Sequence, residues 1–314
     1  MKILEMLTYT RPAGSASEAE FIGRFITPHR PSLMAGNLVV TVPGDPDTLF
    51  SCHTDTVHKA SGKQQVIYDE PLDMAFKQDK LPLGGDDTAG VWLLLEMIAL
   101  GIPGTYVFHY GEEIGCVGSK ALAREHPEFL ETFKRAIAFD RRGTTSVITH
   151  QMGDRCCSDE FGIALATALG GGYVLDDTGL YTDTASYMEL IPECTNVSVG
   201  YDHEHGPEEF LDVAHLNWLR EAVQHVRWHE LPVKRDPAAR PEWNPYSDDE
   251  AWWQAQDRDY ILDEAFTDIQ CLADAEDMVR YEPLRAAEIL WAFISEQVQP
   301  AVERLLKEEM LEAN

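Results

Sequence analysis

Leu49-Phe50-Ser51-Cys52-His53-Thr54-Asp55-Thr56-Val57-His58 decides how this chain is read. A short apolar run ends in His-x-Asp, as a buried strand ends at the working edge of a sheet. A neutral imidazole is a good metal ligand. The carboxylate two positions on can take the proton of its other ring nitrogen, which fixes the tautomer and raises ligand basicity. Alone, the motif equally describes a structural histidine beside a surface carboxylate. The downstream residues narrow the choice: Gly84-Gly85-Asp86-Asp87-Thr88-Ala89-Gly90 ahead of an apolar helical pattern, then Glu112-Glu113, Asp140 and His205.

Ile3, Leu4, Met6 and Leu7 fall at helical spacing, and Ser15-x-x-Glu18 has the form of a capping box opening a helix through Ile26. Residues 37–42 and 48–52 read as strands divided by a turn at Gly44-Asp45-Pro46. Weaker strands over 64–68 and 74–77 are expected to form a hairpin on the sheet's edge. Residues 91–100 are apolar on nearly every face, as in a helix packed deep against a sheet. Strand patterns at 105–110, 136–139, 146–149 and 195–199 alternate with helical ones at 119–125, 161–169 and 213–226. This alternation indicates an α/β fold of three layers, α/β/α, with a largely parallel mixed sheet. Each acid or imidazole candidate sits just after a strand, where open α/β sheets gather their sites.

Fifty-four acids against twenty-five bases give a formal charge of −29 over 314 residues. Such a field repels nucleic-acid phosphates and anionic lipid, which excludes both as expected partners. It serves solubility, and it also draws cations and basic substrates. Met1 to Thr10 is too short and polar for a secretory core, and no apolar run reaches the roughly 18 residues of a membrane span. The six cysteines show no C-x-x-C pair, so free thiols in a reducing cytoplasm are expected. From about Lys234 the character changes to a proline-punctuated linker and an acidic, aromatic helical pattern. The expected division is a domain over 1–233 and a helical extension over 234–314, the latter supplying a lid or a contact between copies.

Each candidate has a plain reading. Asp86-Asp87 can cap a helix, Glu112-Glu113 can be an acidic loop, Asp140 can pair with Arg141 or Arg142, and His205 can be a loop histidine. Together, in this order and each after a strand, they have a common chemistry. Neighbouring Glu112 and Glu113 diverge past a strand, so one can ligate a metal while the other reaches a water on it.

The series His-x-Asp, Gly-x-Asp-Asp-x-x-Gly, Gly-Glu-Glu-x-Gly, Phe-Asp and His-Gly-x-x-Glu-Phe, spread over roughly Leu4 to Val226, resembles the co-catalytic dizinc metallopeptidases. That superfamily holds aminopeptidases, aminoacylase-like carboxypeptidases and tripeptidases. The resemblance implies two zinc ions per chain, with manganese or cobalt fitting the same ligands. His53 and Asp140 would hold one, Glu113 and His205 the other, and Asp86 would bridge them. Asp55 would orient His53, and Glu112 would be the general acid/base. His203 competes with His205, which is preferred because Gly206 and Glu209-Phe210 come after it as in the family pattern. Asp183, in Tyr181-Thr182-Asp183-Thr184-Ala185-Ser186, lies where the family often places a substrate-facing or supporting polar group, or is a helix cap. Tyr181 and Arg142 are candidates for stabilising an oxyanion.

The span from Asp140 to His205 is too short to add an inserted lid domain, which needs at least about 50 residues of its own. The resemblance is therefore to the lid-less aminopeptidase branch, acting on peptide or aminoacyl substrates. A carboxypeptidase, a dipeptidase or an N-acyl amino acid deacylase would use the same centre. An inert metal-binding interaction protein is the alternative from another class, and the intact Glu112 counts against it.

Overall fold

The computed structural model describes residues 2–45, 47–79 and 81–239. Its centre is an eight-stranded mixed sheet. In chain order the strands of this sheet and of a second, four-stranded one are β1 (Ser32–Met34), β2 (Asn37–Val42), β3 (Thr48–His53), β4 (Ile67–Asp69), β5 (Met74–Phe76), β6 (Gly104–His109), β7 (Arg135–Arg141), β8 (Ser146–Ile148), β9 (Val174–Asp176), β10 (Glu193–Ser198), β11 (Tyr201–Asp202) and β12 (Phe210–Asp212). The large sheet runs β9-β8-β10-β7-β3-β6-β2-β1. Its core, β10-β7-β3-β6, is parallel, while β2 and β8 run against their inner neighbours.

β3, β6 and β10 are buried at every position, as parallel strands covered on both faces must be. The period of two sends alternate side chains to opposite layers. Phe50, Tyr106, Phe108, Ile137 and Phe139 pack in one core. There they meet the helices α1 (Lys2–Met6), α2 (Ala16–Phe21), α3 (Gly85–Ala99), α5 (Asp159–Leu169) and α6 (Val213–Ala222). Leu49, Val107 and Ala136 pack in the other core, with Leu122 of α4 (Val117–Glu125) and Tyr187 of the 3₁₀ helix Asp183–Tyr187.

Two expectations change. The 64–77 hairpin forms but does not extend the large sheet. β4 and β5 join β12 and β11 in a separate antiparallel sheet of order β11-β12-β5-β4, with Phe76 opposite Phe210. The pairing partner lies some 130 residues downstream, beyond the reach of a local pattern, and it frames the His205 loop. The helix expected from 91 begins at Gly85, its first turn distorted by non-helical backbone at Asp86 and Asp87.

Ser15 caps α2 as the motif predicts, accepting the Glu18 N–H. The Glu18 carboxylate returns to the Gly14 N–H and also accepts the Thr54 hydroxyl, next to His53. The docked chain continues through Arg235. The Lys234 and Arg235 N–H groups donate to buried Glu193, and the Arg235 guanidinium donates to the carbonyls of Met188, Ile191 and Pro192. The expected helical extension beyond it lies outside the described residues. Among the described residues the five cysteines are free and buried, and no helix is long and apolar enough to cross a membrane.

Candidate metal centre

His53 ends β3 with its ring only 1% exposed. Nδ1 lies 3.1 Å from the Asp55 carbonyl and 3.5 Å from its carboxylate. Donation there leaves the Nε2 lone pair free for a metal. Nε2 faces Asp86 Oδ1 at 3.0 Å and Asp140 Oδ1 at 3.5 Å. The other Asp86 oxygen, Oδ2, lies 3.2 Å from His205 Nε2, which is also 3.2 Å from Glu113 Oε2. Two three-ligand groups result, His53/Asp86/Asp140 and Asp86/Glu113/His205, with the ligating atoms of each within 4.8 Å of one another. They share one carboxylate.

Backbone placement explains the convergence. His53 and Asp140 lie on the neighbouring parallel strands β3 and β7. Asp86 is held at the start of α3 by Glu209, whose carboxylate accepts the N–H groups of Leu83, Gly84, Gly85 and Asp86 at 2.6–3.2 Å. A Cβ on Gly85 would stand 3.0 Å from Tyr201 and 3.1 Å from Glu209, a tight fit that would press on the clamp. Asp140 accepts hydroxyls from Thr182 at 2.8 Å and Tyr201 at 3.1 Å, and its main chain exchanges two hydrogen bonds with the Asn196 amide. Asp87 does cap, taking the Gly90 N–H on one oxygen, while its other oxygen accepts the His53 N–H. A Cβ on Gly90 would meet the Phe139 carbonyl at 2.1 Å.

Glu112 stands beside the ligands, its Oε2 4.0 Å from His53 Nε2 and its Oε1 accepting the Cys116 thiol. Burial pushes its pKa well above the usual carboxylate range, against the pull of His53. Burial and the nearby Asp86 charge raise Asp140 to about 6. His205 is pushed up to about 11 by Asp86 and Glu113. The cage thus crowds more carboxylate charge together than its two imidazoles can offset.

A divalent cation fits these residues. The donor set of imidazole and carboxylate is that of zinc, manganese or cobalt. Glu113 Oε1 is buried with no hydrogen-bond partner, a lone pair that protein contacts leave unused. Asp86 turns one oxygen to each imidazole.

A cleft of about 120 Å³ opens on this cage, lined by Glu112, Asp140 and His205 and on its outer wall by Arg142, Leu180 and Tyr181. Tyr181 and Arg142 thus line the cleft that holds the ligand candidates. Asp183 is 2% exposed and starts the 3₁₀ helix Asp183–Tyr187, the placement of a supporting group or helix start. The neighbouring Thr182 hydroxyl supports Asp140. His203 sits near the Phe210 ring, 6.0 Å between centroids, and belongs to neither ligand group. A larger cavity of about 470 Å³, lined by Gly101, Pro103 and Trp228, has no ligand group on its walls.

No family model matches the sequence, and no curated protein matches it either. Solved structures do match in three dimensions. Aminopeptidase PepT from Bacillus cereus superposes with a TM-score of 0.58 at 15% identity, over 71% of this chain and 95% of that one. A tripeptidase from Staphylococcus aureus gives 0.59 at 15% identity, over 71% and 95%. The TET1 peptidase of Pyrococcus horikoshii, which can assemble into a tetrahedron or a large octahedral shell, gives 0.50 at 17%, over 71% and 98%.

The chain has the fold of these peptidases.

Within this peptidase fold, the span from Asp140 to His205 is taken up by β8, α5, β9, the 3₁₀ helix and β10. Sequence reasoning missed Glu209 as the clamp on Asp86 and Asn196 as the clamp on Asp140. Glu209 was visible as part of His-Gly-x-x-Glu-Phe, but its four backbone partners lie more than 120 residues upstream.

Proposed function

We propose that the chain is a two-metal exopeptidase hydrolysing amide bonds of short peptides, and within that class an aminopeptidase. The observation that carries this reading is Asp86, whose two oxygens face His53 and His205 separately, with Glu112 alongside. His53 and Asp140 would hold one cation, Glu113 and His205 the other, and Asp86 both. Two such ions supply an electrophile for the scissile carbonyl and acidify a water. Zinc is the cation we favour from the imidazole and carboxylate donors.

The chain's own residues do the rest. Glu112 takes a proton from the attacking water and returns it to the departing amine. Its burial-raised pKa suits both transfers. Asp55 fixes the His53 ring and the Glu112 main chain together. Arg142 at the cleft wall orients the substrate. The aminopeptidase end of the class is supported by the solved neighbours named for that activity and by a 140–205 span filled with core elements rather than a lid. The free, buried thiols support a cytoplasmic setting, and the shell-forming TET1 peptidase motivates a homo-oligomer. Arg142 on the cleft wall, half exposed beside its partner Glu204, favours, as a second reading, a site for a substrate carboxylate, as in a carboxypeptidase, dipeptidase or deacylase.

Zinc-loaded protein assayed on leucine p-nitroanilide, unblocked dipeptides and N-acetylated amino acids tests the assignment. Cleavage of the anilide is expected. Cleavage of only the N-acetylated compounds would move it to the deacylases, and no hydrolysis at all would overturn it.

A further inference from the structure

We infer that Arg11 is a positioning residue for the cation cage: its guanidinium ties the Thr54 carbonyl to the Thr88 hydroxyl and so holds the segments carrying His53 and Asp86 in register. The inference rests on the two-metal reading of the site and adds to it a group outside the ligand set.

Arg11 is fully buried. Its Nε donates to the Thr54 carbonyl at 2.7 Å, and its Nη2 donates to Thr88 Oγ1 at 2.9 Å. Thr54 stands between His53 and Asp55 just past β3, and Thr88 lies two residues beyond Asp86 on α3. The Arg11 main chain is knitted to the same turn. Its N–H donates to Thr56 Oγ1, and its carbonyl accepts the Thr56 N–H. Thr88 passes the contact on, donating its own hydroxyl to the Gly84 carbonyl. The segment 83–88 is thus gripped on its N–H groups by Glu209 and on its oxygens through Arg11.

Packing alone does not account for an arginine here. The guanidinium lies 3.9 Å over the Phe21 ring, yet among the described residues it pairs with no carboxylate, and its Nη1 is buried with no acceptor. A buried charge without a close partner is costly. Glu18, Asp55 and Asp87 offset it from a distance, and burial draws its pKa from 12.5 down to about 10, so it stays protonated at neutral pH. The fork explains the choice. A guanidinium is planar, with donors at fixed angles, and it spans two acceptors on separate segments at one spacing; an ammonium is a point charge. That spacing sets how His53 Nε2 meets Asp86 Oδ1, 3.0 Å apart.

The test uses the full chain, with zinc or cobalt alone as the probe. Arg11→Lys keeps the charge and loses the fork. Thr88→Val keeps the arginine and the local shape but removes the far acceptor. Leu165→Ala on α5 is the control, loosening the same core from another helix. Zinc affinity, measured by competition with a chelator, should fall about 10- to 100-fold in Arg11→Lys and about tenfold in Thr88→Val, as for groups that orient metal ligands. The double variant should lose no more than Arg11→Lys alone, because both changes break one link. The cobalt absorption spectrum, which reports ligand geometry, should change in both single variants. Leu165→Ala should lower the thermal midpoint but keep wild-type affinity and spectrum. If Arg11→Lys does not fold, Thr88→Val decides. Wild-type zinc affinity in Thr88→Val, losses that add in the double variant, or an equal loss in Leu165→Ala would each overturn the role. A wild type that binds zinc but hydrolyses no aminoacyl substrate would contradict the peptidase reading and leave the Arg11 result standing, whereas one that binds no cation would overturn both.

Discussion

Asp55 Oδ1 accepts the main-chain N–H of Glu112 at 3.1 Å, and its second oxygen accepts that of Glu113 at the same distance. One buried carboxylate therefore sets the proposed proton-transfer group, a metal-ligand candidate and, through its own backbone, the His53 ring. Asparagine in its place offers one acceptor and turns an amide N–H₂ towards the other N–H. Leaving that donor buried and unpaired costs about 1–3 kcal/mol. Asp55→Asn is expected to lower the thermal midpoint and to reduce kcat about 10- to 100-fold through displaced neighbours. A variant with wild-type kcat would show that this contact does not organise the site.

Glu209 is tested in the same way at the opposite side of the cage. Glu209→Gln keeps the shape but presents donors to two of the four N–H groups around Asp86. Zinc affinity, measured by competition with a chelator, should fall about 10- to 100-fold, as for other groups that orient metal ligands. Wild-type affinity would mean the Asp86 loop holds itself.

Glu112→Gln removes the proton acceptor while filling the same space. Turnover should fall by about 10²–10⁴, with zinc content unchanged. Because burial raises the pKa of Glu112, and a base works only when ionised, the wild-type rate should rise with pH through a value above the usual carboxylate range. An acidic limb at an ordinary carboxylate pKa would remove Glu112 from that role.

His109, fully buried, places Nδ1 2.9 Å from Asn37 Oδ1 and Nε2 3.0 Å from the Tyr187 hydroxyl. Neutral imidazole satisfies both, donating to Asn37 and accepting from Tyr187. Burial lowers its pKa from 6.5 to about 3. The folded value lies below the unfolded one, so the stability linked to His109 is complete above about pH 6.5 and drains away as pH falls toward 3. Thermal midpoints taken in chelator between pH 6.5 and 4 should drop more steeply for wild type than for His109→Gln. Parallel slopes would contradict this.

The resemblance could name His53, Asp86, Glu113, Asp140 and His205 because each comes after a buried strand or opens a helix, and strand ends in a parallel sheet share one edge. The alternation of apolar runs made the layers legible too. What stayed hidden depends on contacts between distant segments. The β5–β12 pairing that frames His205, the Glu209 clamp on residues 83–86 and the exchange between Asn196 and Asp140 leave no periodic trace. Asp183 stays ambiguous in the sequence for a related reason. A polar residue at a helix start looks alike whether it faces a cleft or the layer beneath it, and only packing against α4 and β3 puts it below.

The central claim is that one carboxylate, Asp86, joins two cation sites. Anomalous diffraction from zinc-soaked crystals, collected at the zinc edge, measures this directly. The account predicts two peaks about 3.5–4 Å apart, one against His53 Nε2 and Asp140, the other against Glu113 and His205 Nε2, with an Asp86 oxygen reaching each. A single peak, or two that Asp86 does not touch in common, would contradict it.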